Sequence, residues 1–296
     1  MSVSPGTPGT GGSPAVRIEP EPAPDAADAG AAGSADAVPA GVGSAGAADA
    51  GAGVAGSAGA VPAAGVRTGP PPGTPPPVTI TFRLVNGAVR VLMSILRVRL
   101  VVEGAEDLPD RPGVILATNH LSWADPILLA IAIHEATGRR VRHMAKAEAV
   151  SIPVFGTLLR DYGGFAVRRG RPDREAYRMA TDVLAGGDWL GLAPEGTRSR
   201  TGILGEPKPG VALLAVRSGA EVLPAALWGT EELWPIGKLL PRPGKVVHIR
   251  FGEPYRMATG ATGAGGTRHA ALDAASDDLM RRIAALLPGR YRGRFA

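Results

Sequence analysis

Two short segments far apart in the chain carry the side chains best suited to chemistry. The first, residues 119–125, contains His120 and, five residues later, Asp125. A neutral imidazole can take a proton from a substrate hydroxyl, while a carboxylate bonded to the ring fixes its tautomer and stabilises the imidazolium. No serine or cysteine nucleophile is then required, because the hydroxyl can attack directly.

The spacing of this pair sets a geometric condition. Residues five apart do not face one way on a straight helix, so the two side chains converge if His120 lies in a loop and Asp125 begins the next helix. Pro126 supports that reading, since proline is tolerated in a first helical turn. The alternative is a capping aspartate beside an ordinary hydrogen-bonded loop histidine.

The second segment, residues 194–199 (Pro-Glu-Gly-Thr-Arg-Ser), has the features of an anion site. Pro194 ends a strand, Gly196 permits a close backbone approach, and Arg198 offers a planar fork that matches phosphate. Taken alone, the segment is equally compatible with an ordinary strand-to-loop turn that carries a surface arginine.

The elements that position these segments are alternating strands and helices. Apolar runs at 113–118 and 189–193 predict buried strands that end directly at the two segments. Further strands are predicted at 99–103, 141–145, 163–169, 222–227 and 246–251, and helices at 127–135, 151–160 (helical or turn-rich), 173–184 and 270–287. This order predicts an α/β fold, a layered domain with a central mixed sheet flanked by helices and with its sites at strand ends.

Composition separates an N-terminal tail from the body. Residues 1–77 are mostly Ala, Gly, Pro and Ser, which cannot bury enough apolar surface to offset chain entropy, so we predict a disordered tail. The tail has two arginines and six acids (net −4), and the remainder has 30 basic and 21 acidic residues (net +9). A basic body with few aromatics favours a membrane surface and a phosphorylated substrate over nucleic acid.

Several classes are excluded or disfavoured by what the sequence lacks. With no cysteine, the chain cannot form disulfides, thiolate metal sites or a cysteine nucleophile. We read no secretory signal and no uncharged stretch long enough to span a bilayer. His134, His143, His248 and His269 have no metal-ligand spacing and are interpreted as structural or surface residues. No cofactor and no metal are expected.

Residues 78–98 form a separate unit in this reading. Arg83, Arg90 and Arg97 recur every seven residues within an apolar stretch, which on a helix forms one narrow stripe. Because these arginines show no acidic partners in sequence, we predict an amphipathic membrane-interface helix whose arginines meet lipid phosphate. The alternative is a core helix with one solvated stripe. The predicted domains are therefore 1–77, 78–98 and 99–296.

The two segments are far more specific together than either is alone. From about residue 100 to 254 the chain resembles the glycerolipid acyltransferase family, in particular the 1-acyl-sn-glycerol-3-phosphate acyltransferases. Four blocks occur in the family's order: 119–125 (Asn-His-x4-Asp), 163–169 (similar to Gly-x-x-Phe-x-x-Arg), 194–199 (a full Pro-Glu-Gly-Thr-Arg-Ser) and 222–224 (apolar residues followed by proline). The first and third are highly specific together, and the second and fourth are weak.

The resemblance implies a role for each candidate site residue. His120 would be the general base and Asp125 its partner, with Glu195 shaping the acceptor site. Arg169 and Arg198 would bind the acceptor phosphate, and the backbone amides of Gly196 and Thr197 would face the phosphate or the oxyanion. The chain departs from the family at Arg168, where many relatives carry an acid, so it is open which arginine of this denser cluster contacts the substrate.

The resemblance also implies the reaction. A fatty acyl group would pass from acyl-CoA or acyl carrier protein to the hydroxyl of a lysophospholipid, foremost lysophosphatidic acid, giving phosphatidic acid. The enzyme would be peripheral, on the cytoplasmic face of the cell membrane, and would bind an anionic membrane surface and no nucleic acid. The alternatives are an acyltransferase for a different lysolipid acceptor and a non-catalytic membrane-lipid-binding protein on the same scaffold.

Overall fold

The computed structural model describes residues 79–146, 156, 159–160, 162–167, 174–258 and 268–296. The predicted tail 1–77, most of the predicted element 151–160, and the predicted site residues Arg168 and Arg169 lie outside the described residues.

Helices and strands alternate along the described chain. The helices are α1 (Ile80–Ile95), α2 (Asp125–Thr137), α3 (Arg174–Ala185), α4 (Gly210–Ser218), α5 (Thr230–Leu233) and α6 (Arg268–Leu286). The strands are β1 (Arg99–Glu103), β2 (Ile115–Thr118), β3 (Val141–Lys146), β4 (Gly164–Val167), β5 (Trp189–Leu192), β6 (Glu221–Trp228), β7 (Val246–Phe251) and β8 (Tyr255–Arg256). Two 3₁₀ turns, Gly289–Tyr291 and Gly293–Phe295, follow α6.

The strands form one mixed sheet in the order β1-β7-β6-β2-β5-β3-β4, with β8 paired to β6. The strands β6, β2, β5, β3 and β4 are mutually parallel, and β7 joins them antiparallel through β6. The predicted fold class, an α/β domain with a central mixed sheet flanked by helices, is confirmed. Parallel neighbours also bring the carboxyl ends of β6, β2 and β5 to the same edge.

Two apolar layers cover the sheet. On one face, α2 packs against alternate residues of the central strands, among them Leu116 and Trp189. On the other face, α3, α4 and α6 pack against the intervening residues, among them Ile115 and Leu190. Coverage on both faces explains why β2 and β5 are buried throughout and read as continuous apolar runs in the sequence.

The sequence did not indicate α4, α5 or β8. All three are short, and α4, with nine residues, has apolar side chains on most of its circumference rather than a clear stripe. Its position is decided by the core, where Val211, Leu214 and Ala215 pack beneath the sheet.

The helix α1 confirms the predicted helix and corrects two details of it. It begins after Thr79, whose hydroxyl accepts a hydrogen bond from the Phe82 amide at 3.1 Å, and it ends at Leu96. Arg97 lies beyond the helix in a left-handed conformation (φ 53°), so the predicted three-arginine stripe is wrong at its last member. The expectation that these arginines lack acidic partners is wrong at Arg90, which forms an ion pair with Glu135 of α2.

One face of α1 is held to the domain and another is left open. Phe82 is fully buried and stacks on Tyr162, whose hydroxyl donates to the side-chain Oδ1 of Asn86 at 2.8 Å. A second face exposes large apolar side chains: Ile80, Leu84, Val91, Leu92 and Ile95. No helix within the described ranges combines the length and hydropathy needed to cross a bilayer.

Candidate active site

The two candidate segments meet because their strands are neighbours. β2 and β5 run parallel in register from Ile115 opposite Leu190 to Ala117 opposite Leu192. The loops that leave these strands therefore start at the same sheet edge, where sites form in open parallel sheets. One loop carries His120 and the other carries Glu195.

His120 and Asp125 are in direct contact. The ring Nδ1 lies 2.8 Å from Asp125 Oδ2, and the histidine side chain is 20% exposed whereas the aspartate side chain is 2% exposed. Since a carboxylate only accepts, Nδ1 carries the proton and Nε2 keeps its lone pair. The predicted convergence of a loop histidine with a helix-starting aspartate is confirmed.

The Asp125 carboxylate is itself fixed by the backbone. Its Oδ2 also accepts hydrogen bonds from the amides of Leu121 (2.6 Å) and Ser122 (2.8 Å). These are residues of the loop between His120 and the helix, so the carboxylate closes the loop on itself. The imidazole is thereby oriented by a group that has little freedom to move.

Glu195 ties the two segments together. Its Oε1 accepts the His120 amide at 3.1 Å and its Oε2 accepts the Gly205 amide at 2.9 Å. The His120 carbonyl in turn accepts the Ser199 amide at 2.8 Å. Burial raises the pKa of Glu195 above its ordinary value, while the two amides act against that rise.

Two cationic groups lie at the turn after Glu195. Gly196 has φ 67°, and a Cβ placed there would come within 3.1 Å of Lys208 Nζ, so glycine allows that ammonium to lie against the turn. The Arg198 guanidinium stacks on the Trp123 ring, 4.0 Å from its centre, and Trp123 is 51% exposed. Trp123 was not identified as a site residue from the sequence, and Lys208 was noted there without a role.

The predicted pair of anion-binding amides needs one correction. The Gly196 amide donates to the Ala193 carbonyl at 3.0 Å and closes the turn, so it is not free for a substrate. Thr197 is exposed, and its amide makes no hydrogen bond to the part of the chain that the structure describes.

Asn119 anchors the catalytic loop to the next strand. Its side-chain amide donates to the Leu227 carbonyl and accepts from the Leu227 amide, both at 2.8 Å, so it pairs with β6 as a backbone group would. Asn119 is 2% exposed. The loop is held again two residues beyond His120, where the Ser122 hydroxyl donates to the Trp234 carbonyl at 2.8 Å.

His143, interpreted from the sequence as a structural or surface residue, lies close to the His120–Asp125 pair. It lies on the same face of β3 as Val141, the α2 face, and its ring occupies the space that Gly191 leaves on β5. The residue is half-buried, but its Nε2 is enclosed and has no hydrogen-bond partner among the described residues. Burial, and secondarily the nearby His120, lower the pKa of His143 to about 4. A glycine opposite a histidine on a neighbouring strand was the signal available in the sequence.

The geometry supports proton transfer at a hydroxyl beside a cationic turn. Among the described residues, no cluster of three or more His, Asp or Glu side chains is arranged to hold a metal ion. The groups at the site are a partly exposed, oriented imidazole, the Arg198 guanidinium on Trp123 and the Lys208 ammonium beside Gly196. Such a set can activate a hydroxyl on an anionic substrate without a protein nucleophile.

Comparison with known proteins agrees with this chemistry. The family model described as Acyltransferase matches residues 99–228. A 1-acyl-sn-glycerol-3-phosphate acyltransferase of Bacillus subtilis is 29% identical over 177 residues, which are 60% of this chain and 83% of that protein. One of Pseudomonas aeruginosa is 28% identical over 152 residues, covering 50% of this chain and 56% of that protein.

A solved structure extends the likeness to the fold. The crystal structure of the 1-acyl-sn-glycerophosphate acyltransferase PlsC from Thermotoga maritima matches with a TM-score of 0.53 and 27% identity, covering 69% of this chain and 79% of that one. The fold and the site thus define an acyltransferase. Over residues 99–228 the chain is similar to the acyltransferases of this family, and both candidate segments lie within that region.

Proposed function

We propose that this acyltransferase moves a fatty acyl group from acyl-CoA or acyl carrier protein to the free hydroxyl of a lysophospholipid in phospholipid biosynthesis. The preferred acceptor is 1-acyl-sn-glycerol-3-phosphate, which would become phosphatidic acid. The observation that carries the proposal is the partly exposed His120 ring held by Asp125 at 2.8 Å. The names of its relatives from Bacillus subtilis and Pseudomonas aeruginosa support the acceptor.

The mechanism follows from the protonation of the dyad. His120 Nε2 removes the proton from the acceptor hydroxyl as its oxygen attacks the thioester carbonyl, and Asp125 stabilises the imidazolium. The tetrahedral intermediate collapses, the C–S bond breaks, and the thiolate takes the proton from the imidazolium. The products are the acylated lipid and a free thiol, and the enzyme carries no acyl group at any stage.

The cationic turn would hold the acceptor phosphate. Arg198, Lys208 and the Thr197 amide surround the turn that faces His120, and Glu195 shapes this site by fixing the His120 backbone. Arg168 and Arg169, outside the described residues, are proposed to add to this phosphate site. A terminal phosphate is doubly charged near neutral pH and suits such a cluster better than a diester does.

A different lysolipid acceptor is the second candidate. Arg168 stands where relatives commonly carry an acid, and one more cation beside Arg169 changes the charge that a headgroup meets. Lysophosphatidylglycerol or a lyso-aminolipid are the acceptors to compare.

We further propose that the enzyme is peripheral and acts at the cytoplasmic face of the cell membrane. The apolar face of α1, with Ile80, Leu84, Val91 and Ile95, would lie in the headgroup region of an anionic bilayer. Arg83 flanks that face and can meet lipid phosphate, whereas Arg90 is paired with Glu135.

The test crosses two donors with several acceptors and two variants. Purified wild-type protein is assayed with acyl-CoA and acyl carrier protein against lysophosphatidic acid, lysophosphatidylglycerol and a lyso-aminolipid. His120→Ala should lower turnover about 10³-fold, whereas His269→Ala, at an exposed position of α6, should not. Near-wild-type turnover of His120→Ala would contradict the mechanism. A higher kcat/KM for another lysolipid would replace the proposed acceptor and leave the mechanism standing.

A further inference from the structure

The segment 235–245, which we term the 235–245 loop, presents apolar side chains to solvent. It joins α5 to β7. Leu239 is 86% exposed, Leu240 73% and Ile236 40%, and Leu239 has the highest exposure of any large apolar side chain in the described part of the chain. Neighbouring exposed leucines at the tip of a loop add nothing to the packing of this domain.

The loop is nevertheless held in a defined conformation. The Trp234 indole donates to the Lys238 carbonyl at 2.9 Å, and the Arg242 amide donates to the Leu233 carbonyl at 2.7 Å. These bonds fix both arms at the base of the loop. Leu239 and Leu240 lie between these arms and are therefore held outward by a structured loop.

The loop connects two features already described. At one end, the Gly244 amide donates to the Leu96 carbonyl at 2.7 Å, directly at the end of α1. At the other end, the Trp234 carbonyl accepts the Ser122 hydroxyl at 2.8 Å, within the loop that carries His120. The Gly244 end of the loop thus adjoins the C-terminal end of α1, and Trp234, directly before the loop, is bonded to the catalytic loop.

All charged residues of the loop are basic. It contains Lys238, Arg242 and Lys245 and no acidic residue. Lys245 pairs with Glu232 of α5 at 3.1 Å. Within the described ranges, Lys238 and Arg242 form no ion pair. Cations beside exposed leucines complement a bilayer that has anionic headgroups above an apolar interior.

We propose that the 235–245 loop is a second membrane contact, which inserts Leu239 and Leu240 into an anionic bilayer while Lys238 and Arg242 meet lipid phosphates. This inference rests on the proposed function, because an enzyme whose acceptors are lipids benefits from a bilayer next to its catalytic base. Together with α1, the loop gives the domain two membrane contacts, and these orient the catalytic loop relative to the lipid surface.

The experiment measures binding to vesicles of equal parts phosphatidylcholine and phosphatidylglycerol by sedimentation. Leu239→Glu/Leu240→Glu should weaken binding at least about tenfold, because two buried leucines are lost and two anions gained. Turnover of a short-chain, water-soluble lysophosphatidic acid should stay at the wild-type level. The matched control is Ala274→Glu/Ala285→Glu, which adds the same charge to exposed positions of α6 on the opposite face of the sheet.

A third variant separates this inference from the proposed function. Leu84→Glu/Val91→Glu changes the exposed face of α1 and should also weaken vesicle binding. If it does so while Leu239→Glu/Leu240→Glu binds as wild type, the loop inference is wrong and the proposed function stands. If the wild-type protein does not bind these vesicles, both membrane contacts are wrong. A loop variant that changes the oligomeric state on gel filtration, with vesicle binding intact, would assign the leucines to a second copy of the chain.

Discussion

At the scale of single residues, the site depends on one oxygen atom. Asp125 Oδ2 accepts from His120 Nδ1 and from the amides of Leu121 and Ser122. The same contacts that shape the loop therefore hold the imidazole, so loop conformation and tautomer cannot be changed independently. His120 is reachable from solvent, and Asp125 is not.

Asp125→Asn tests this dependence. Because Asp125 Oδ2 accepts all three donors, an asparagine oxygen in the same place can accept them too, but it carries no negative charge to stabilise the imidazolium that forms at His120. The contribution of the base should then be largely lost, so kcat should fall about 10²-fold or more. The rate of thiol release from acyl-CoA measures kcat, and thermal unfolding shows whether the variant is still folded.

The matched control is Asp107→Asn, an exposed aspartate outside the site. It removes the same charge and should leave kcat unchanged. A folded Asp125→Asn whose kcat stays within about tenfold of wild type would show that the negative charge of Asp125 does not support the base.

At the scale of elements, three parallel strands place the loops. β6, β2 and β5 end at one edge, and the side chain of Asn119 extends the pairing of β2 with β6 past the last backbone bridge. The sequence indicated β2 and β5 because each is a continuous apolar run that stops at a polar segment. It could not indicate which strands are neighbours, since that depends on contacts between residues far apart in the chain.

Asn119→Ala tests the attachment of the catalytic loop to β6. The change leaves the amide and the carbonyl of Leu227 buried without their partner, which should lower the free energy of unfolding by about 2 to 4 kcal/mol. Urea unfolding followed by circular dichroism measures this value. The turnover should fall as well, because His120 directly follows Asn119.

Ser122→Ala serves as the reference for that experiment. It removes the hydrogen bond to the Trp234 carbonyl, on the far side of the same loop, and should cost about 1 kcal/mol. If Asn119→Ala is no less stable than Ser122→Ala, the side-chain pairing with Leu227 is not what holds the loop.

The element for which the tertiary structure adds most to the sequence prediction is α1. Its apolar composition and arginine spacing predicted a helix, and a helix is present over Ile80–Ile95. The sequence could not show that Phe82 and Asn86 would dock on Tyr162, or that Arg90 would find Glu135. Those partners belong to other elements. The arginine spacing alone therefore did not predict that Arg90 would be paired with an acid.

At the scale of the whole molecule, one histidine whose ring Nε2 is enclosed should make stability depend on pH. Burial lowers the pKa of His143 to about 4, whereas a histidine in the unfolded chain keeps a pKa of about 6.5. Between these values the unfolded chain binds the proton and the folded chain does not. Stability is therefore full above about pH 6.5 and is lost as pH falls toward 4.

The comparison with His143→Gln isolates this contribution. Between pH 7 and pH 5 the stability difference between wild type and variant should shift by about 2 kcal/mol against the wild type. Urea unfolding at both pH values measures the shift. The exposed His269→Gln should show no such shift, and a pH-independent difference for His143→Gln would mean that its ring is accessible to protons in the folded state.

The sequence by itself determined the chemistry and the class of fold. The order of apolar runs predicted an α/β domain, and the types and spacing of residues 119–125 and 194–199 predicted a base, its carboxylate and an anion site, because these features are local. Only the tertiary structure decided that Glu195 joins the two segments, that Gly196 uses its amide internally while Lys208 lies against the turn, and that His143 lies close to the dyad. It also joined the 235–245 loop to the end of α1 through Gly244 and Leu96. Each of these is a contact across strands or loops, and such contacts exist only once the parallel sheet has brought distant residues to one edge.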